Sequence, residues 1–110
     1  MSHTQVLINL INEKNFKTIA EIGVFKGQNC REILKHCKNI TSFWGVDKFE
    51  AINDPNFKMG RITQEQWDQI YLRVAWDMYF FKQFKIIKGK SLDVAKFFRK
   101  PFFDFVYIDS

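Results

Sequence analysis

Short runs of β-favouring residues alternate with stretches of helical periodicity along the chain. In the helical stretches apolar residues recur every three or four positions, whereas in the short runs they are nearly continuous. The predicted strands are Thr18 to Gly23, Phe43 to Asp47, Phe84 to Lys88 and Phe103 to Asp109. Strands separated by helices need crossover connections, so the pattern predicts a parallel sheet covered by helices on both faces.

The first two predicted helices flank the first strand. One begins at Ser2, which has with Gln5 the spacing of a capping box. Its predicted apolar face consists of Val6, Leu7, Leu10 and Ile11. The other runs from Gln28 to Cys37, and its stripe is Cys30, Ile33, Leu34 and Cys37. Two turns separate the cysteines, which is too far for a disulfide, so both are expected to be buried apolar groups.

Two further helices follow the second and third strands. A polar stretch with Asn53, Asp54, Pro55 and Gly60 predicts a long loop before the first of them. Thr63 and Gln66 then resemble a second capping box, at the start of the longest predicted helix. Its stripe predicts core packing and consists of Trp67, Ile70, Tyr71, Val74, Met78 and Phe81. Ser91 is predicted to cap a short helix through Phe98, which Pro101 prevents from continuing.

Composition and charge limit the class of protein. The 110 residues are expected to form one domain, 1–110, with a core rich in its 13 phenylalanines. The net charge of +5 is scattered along the sequence, which favours a solvated basic surface over a nucleic-acid groove. No apolar run reaches the roughly 18 residues of a membrane span, so a cytoplasmic protein without membrane contact is expected.

The turn after the first strand carries the clearest chemical signal. It reads Glu21-Ile22-Gly23-Val24-Phe25-Lys26-Gly27. Gly23 allows the main chain to approach a ligand, and Gly27 opens a helix whose free N–H groups can bind an anion. Phe25 occupies the middle position of a dinucleotide fingerprint, which weakens a nicotinamide interpretation. The sequence lacks a phosphate-binding loop of the G-x-x-x-x-G-K type.

The other predicted strands also end in polar or glycine residues. Asp47 follows the second strand, where a carboxylate can accept hydrogen bonds from both hydroxyls of a ribose. Gly89, Lys90 and Ser91 follow the third strand, and Asp109 ends the fourth. Ligands of open parallel sheets bind at the edge where the strands end, so these groups are candidates for one site.

Four segments, EIGVFKG, FWGVD, IIKGKS and FDFVYIDS, together resemble the class I S-adenosylmethionine-dependent methyltransferases, in particular the small-molecule branch that includes catechol O-methyltransferase-like enzymes. The resemblance covers about residues 19–110. It implies a Rossmann-like three-layer α/β/α fold with about four strands in the order 3-2-1-4. It also implies S-adenosylmethionine as cofactor, S-adenosylhomocysteine as product and a small-molecule methyl acceptor.

The same resemblance assigns roles to the candidate residues. Asn29 stands where a serine or threonine often contacts the amino acid moiety of the cofactor, and Asp47 would hold the ribose. Lys48 and Ser91 would flank the adenine, and Asp109 would be the catalytic carboxylate facing the methyl group. Glu21, Gly23 and Gly27 would form the pocket for the methionine part. The predicted cofactor-binding residues also include Val24, Phe25 and Asp109. No metal site is predicted.

One departure from the family pattern concerns the acceptor side. Relatives often place a histidine two residues after the position of Asp109, whereas His3 and His36 match no catalytic position of the family. We therefore expect these residues to be the cofactor-binding part of a longer methyltransferase domain and to be inactive alone. The apolar fourth strand would then lie at an open edge and favour self-association.

Three other functions stay open at this stage. The sequence also fits a non-catalytic module that binds adenosyl ligands. A nicotinamide-dependent oxidoreductase is a second alternative, and on charge alone an RNA-methylating enzyme is a third.

Overall fold

A computed structural model describes residues 2–51, 62–90 and 102–109. The helices are α1 (His3–Lys14), α2 (Gln28–His36) and α3 (Gln64–Asp77), and the strands are β1 (Thr18–Ile22), β2 (Ser42–Asp47), β3 (Phe84–Lys88) and β4 (Phe105–Ile108). The strands are parallel and lie in the order β3-β2-β1-β4, which confirms the predicted topology. The loop predicted around Pro55 and the helix predicted to begin at Ser91 lie outside the described residues.

The register of the strands places one apolar row across the sheet. Ile19 of β1 is paired with Phe43 of β2 and Phe105 of β4, and Phe43 is paired with Phe84 of β3. The connections from β1 to β2 and from β2 to β3 run in the same direction across the sheet. Because such connections are right-handed, α2 and α3 lie on the same face of the sheet. Ile19 and Phe43 are completely buried in the resulting core.

The first helix confirms the predicted element but corrects its buried face. Ser2 caps it by accepting a hydrogen bond from the backbone N–H of Gln5, but the side chain of Gln5 donates to Asn9 instead of closing a capping box. Val6, predicted to be buried, is 49% exposed, and Ile8 is buried in its place. At 100° per residue the buried face centres on residues 7, 8 and 11, which leaves residue 6 at its margin.

The second helix buries the stripe that the sequence predicts. Cys30, Ile33, Leu34 and Cys37 are all at most 2% exposed, although the helix ends at His36 and Cys37 follows as its cap. Both thiols are free, and burial raises the pKa of each. They are therefore packing groups with little thiolate character.

The third helix is the longest of the described helices and starts with a complete capping box between Thr63 and Gln66, as predicted. Val74 and Met78 are buried. The other members of the stripe are partly buried against the core, namely Trp67, Ile70, Tyr71 and Phe81. The helix ends at Asp77, earlier than the stripe suggested, because the chain turns after Met78 to enter β3.

The fourth strand begins two residues later than predicted because Asp104 forms a clamp to the start of β1. Its carboxylate accepts hydrogen bonds from the backbone N–H groups of Lys17 and Thr18, at 2.7 and 3.2 Å. These bonds lower the pKa of Asp104. On the far face of β4, Val106 and Ile108 are 51% and 72% exposed. No helix within the described ranges is both long and apolar enough to span a bilayer.

Candidate ligand site at the glycine turn

The turn from β1 to α2 has the backbone conformation that its glycines permit. Gly23 has φ +93° and Gly27 has φ +77°, both in the range that disfavours side chains. Phe25 between them has φ +51°, an uncommon conformation for a bulky residue. Phe25 is 39% exposed, and its ring packs edge-to-face with that of Trp67. Such backbone strain is typical of functional turns, which supports a ligand role for this segment.

The glycine in the middle of β2 makes room for this turn. A Cβ atom on Gly45 would lie 2.9 Å from Val24 Cγ2 and 2.9 Å from Phe84 Cζ. Val24 is buried, so the missing side chain of Gly45 allows the turn to seat against the sheet. The sequence prediction missed Gly45, because the need for a glycine there comes from contacts with Val24 and Phe84, which belong to other parts of the fold.

The carboxylate of Asp47 connects two loops. One oxygen accepts a hydrogen bond from the N–H of Phe25 and the other from the N–H of Phe49, both at 2.9 Å. Phe49, at φ +50°, is itself completely buried. Asp47 therefore holds the glycine turn against the end of β2, and each oxygen keeps a lone pair for a further donor. Its predicted role at a ribose stays a prediction.

Glu21 lies beneath the turn and is 1% exposed. The hydroxyl of Tyr107 donates to its Oε2 at 2.6 Å, while Oε1 has no hydrogen-bond partner among the described residues. The pKa of Glu21 is raised to about 8, mainly by burial, and the carboxylates of Asp109 and Asp47 contribute to the same rise. The hydrogen bond from Tyr107 acts in the opposite direction. At neutral pH this carboxyl group is mainly protonated.

Asn29, in the first turn of α2, joins the first helix to the last described strand. Its amide donates to the carboxylate of Asp109, which directly follows β4. Its carbonyl oxygen accepts from the hydroxyl of Thr4 at 2.5 Å. The structure therefore brings Asn29 and Asp109 together as the sequence suggested, and it adds Thr4 and Tyr107, which the sequence prediction missed. Neither carries a motif, since both act through partners distant in sequence.

The remaining predicted site residues have simpler surroundings. Lys48 is exposed beside Asp47, and Ser91 lies outside the described residues. Gly27 caps α2 and has no side chain with which to bind the free N–H groups of the first turn. Within residues 2–51, 62–90 and 102–109, no group of three or more metal-ligating side chains occurs.

Parallel strands in this order, with a glycine turn and carboxylates at the ends of β1, β2 and β4, define a Rossmann-like fold of the methyltransferase type. No protein-family profile and no curated protein sequence matches the chain. Among solved structures it is similar to a "putative caffeoyl-CoA O-methyltransferase" from Staphylococcus aureus, with a TM-score of 0.66 and 17% sequence identity. The match covers 94% of this chain and 42% of that protein, and at this identity it shows the fold alone.

Proposed function

We propose that this chain binds S-adenosylmethionine at the glycine turn and forms the cofactor-binding part of a methyltransferase for a small-molecule acceptor. One observation carries the proposal: two carboxylates flank the glycine turn, with Asp47 bonded to the N–H of Phe25 and Asp109 bonded to Asn29 in the first turn of α2, and the buried carboxyl group of Glu21 is close to both. They adjoin the uncapped N-terminus of α2. The O-methyltransferase named above supports the proposal at the level of the fold.

The charges of this site match those of S-adenosylmethionine. The cofactor carries a positive sulfonium and a positive ammonium group, which suit a site rich in carboxylates, and one carboxylate, which suits free N–H groups at a helix start. A dinucleotide would instead place a doubly negative pyrophosphate at this turn. Asp109 would repel that pyrophosphate, and Phe25 occupies the middle glycine position of the dinucleotide fingerprint, so the site disfavours the nicotinamide alternative.

The surroundings of Glu21 Oε1 indicate how the residues of this site fit the cofactor. Oε1 is buried without a hydrogen-bond donor among the described residues, which is costly unless the group is protonated or gains a partner. A nearby cation would favour the ionised form. Because Glu21 is 1% exposed, we infer that it supports the turn from below and that Asn29 and Asp109 make the direct contacts.

Different residues of the chain would then bind different parts of the cofactor. The N–H groups of α2 would hold the carboxylate of the methionine moiety, Asp47 would hold the ribose, and Lys48 would flank the adenine. The bound cofactor supplies an electrophilic methyl group. Asp109 would orient the ammonium group on one side and face the acceptor on the other, where a carboxylate can accept a proton.

Isothermal titration calorimetry with S-adenosylmethionine, S-adenosylhomocysteine and NADH tests the proposal. The two adenosyl compounds should bind and NADH should not. Asp47→Asn, which removes one charged acceptor, should weaken their binding roughly 10- to 100-fold, since hydrogen bonds to charged groups contribute about 1.5–3 kcal/mol. Asp68→Asn, an exposed acid on α3, is the control and should bind normally.

The titrations also separate the alternatives. Tight binding of NADH would favour the oxidoreductase, and absence of adenosyl binding would refute the proposal. Binding without methyl transfer in a protein that contains the acceptor side would favour the non-catalytic module. The self-association expected at β4 is a separate proposal, which sedimentation velocity of the purified protein tests.

A further inference from the structure

A second concave site lies between α2 and α3 and borders the glycine turn at Lys26. It is a cleft of about 550 Å³, within the range typical of small-molecule pockets. Its basic lining comprises Lys26, Arg31 and Arg73, and Asp77 is its one carboxylate. Ile70 and Val74 form an apolar wall, and three glutamine side chains complete the polar lining.

The two sites use opposite sides of α2. Asn29 is directed to Asp109 and α1, as its hydrogen bonds show. Arg31 is two residues further along the helix, about 160° away around its axis, and is directed to α3, where it meets Asp77. A ligand held by Arg31 therefore lies on the other side of α2 from Asn29 and Asp109, while Lys26 and Gln28 place one end of the cleft beside the glycine turn.

Asp77 holds the two arginines of the cleft side by side. The Nε of Arg73 donates to both carboxylate oxygens, at 3.1 and 3.2 Å, and Nη1 of Arg31 lies 3.8 Å from the same carboxylate. Neither arginine forms a hydrogen bond through its terminal Nη groups to another residue of the described ranges. These groups can therefore donate to an added anion.

The charge of the lining selects the type of anion. Three cations against one carboxylate leave two unbalanced positive charges. Lys26 is held near the cleft with its Nζ 5.2 Å from the centre of the Phe25 ring. A carboxylate ligand would neutralise one of these charges, whereas a phosphate monoester carries between about 1.5 and 2 negative charges at pH 7. The apolar wall adds space for an organic group on the ester.

We propose that the cleft between α2 and α3 binds a small molecule carrying a phosphate monoester, with Arg31 and Arg73 as its main donors and the wall of Ile70 and Val74 against its apolar part. This site does not depend on the function proposed for the glycine turn. Phenyl phosphate combines both features in one probe, and inorganic phosphate is the matched probe without the apolar group.

The test is titration of the purified protein with each probe, followed by calorimetry and by the NMR signals of the arginine Nε–H groups. Phenyl phosphate should bind more tightly than inorganic phosphate and shift the signals of Arg31 and Arg73. The double variant Arg31→Gln/Arg73→Gln should lose at least tenfold in affinity. The control Lys38→Gln/Lys85→Gln loses the same charge from exposed sites elsewhere and should bind nearly normally.

Three results would overturn the proposal: no binding of phenyl phosphate, equal weakening in both double variants, or equal affinity for the two probes. The second would show that only the overall charge attracts the anion, and the third that the apolar wall contributes nothing. If the double arginine variant unfolds, Arg73→Gln alone serves, because its side chain is 77% exposed and its loss leaves the core unchanged.

Discussion

Replacing Glu21 by glutamine should make the protein less sensitive to alkaline pH. Glutamine has nearly the same shape, and its carbonyl can still accept the hydrogen bond that Tyr107 donates to Glu21 at 2.6 Å. It cannot ionise. The variant therefore removes the titration of the buried carboxyl group and keeps most of its packing.

The sign and size of the effect follow from the two states of the protein. The pKa of Glu21 rises from 4.5 to about 8 in the folded protein. Between these values the folded state binds more protons than the unfolded state, so stability is highest below pH 4.5 and falls until the pH exceeds 8. At about 1.4 kcal/mol per pKa unit, the whole rise corresponds to roughly 5 kcal/mol, and about 4 kcal/mol of it falls between pH 5 and 9.

Urea denaturation followed by tryptophan fluorescence at pH 5 to 9 and constant ionic strength measures this effect. The free energy of unfolding of Glu21→Gln, relative to the unmodified protein, should increase by about 4 kcal/mol across the range. Glu13→Gln, at an exposed position of α1, is the control and should give a constant difference. A constant difference for Glu21→Gln as well would refute the assignment of a buried, proton-binding carboxyl group.

Four further predictions concern the same framework. Tyr107→Phe removes a hydrogen-bond donor that lowers the pKa of Glu21. Urea denaturation should therefore show a free energy of unfolding lower by about 1–3 kcal/mol, and its decline with rising pH should extend to higher pH. Binding of cationic S-adenosylmethionine at pH 7 should release a proton from Glu21. Calorimetry in buffers of different ionisation enthalpy measures this release, which should be absent in Glu21→Gln. Gly45→Ala places a Cβ 2.9 Å from Phe84 and should lower the free energy of unfolding by about 1–3 kcal/mol. In a double-mutant cycle, Phe84→Leu should restore part of this loss, and strict additivity of the two substitutions would contradict the clash. Asp104→Asn should make stability fall less steeply below about pH 4, because the folded-state pKa of Asp104 lies below 3.8. Acid denaturation that is unchanged by the substitution would contradict the role of this carboxylate as a clamp.

Local features of the sequence were sufficient for most elements of the fold. The capping box of Thr63 and Gln66, the strand–turn–helix around Gly23 and Gly27, and the buried cysteine stripe of α2 all depend on residues within a few positions of each other. Periodicity alone was less reliable at the ends of elements. It extended α3 past Asp77 and began β4 before the clamp of Asp104, since tertiary contacts decide where these elements stop and start.

The candidate site was predictable in its position but not in its chemistry. Parallel strands bring their carboxyl ends to one edge, so the sequence placed Asp47 and Asp109 near the glycine turn. It did not show that Asp47 would use both oxygens on backbone N–H groups. Nor did it show that Glu21 would lie under the turn with one oxygen that no described residue partners.

The sequence by itself determined the order of strands and helices, the glycine conformations and the charge at the ends of the strands, because these follow from local sterics and periodicity. Only the tertiary structure decided the protonation of Glu21, the link from Thr4 through Asn29 to Asp109, and the arginine pair on Asp77. Tyr107 is 86 residues from Glu21, and Arg31 meets Asp77 from another helix. Burial and hydrogen bonding between such distant groups arise only when the elements pack, and they set the chemistry of both sites.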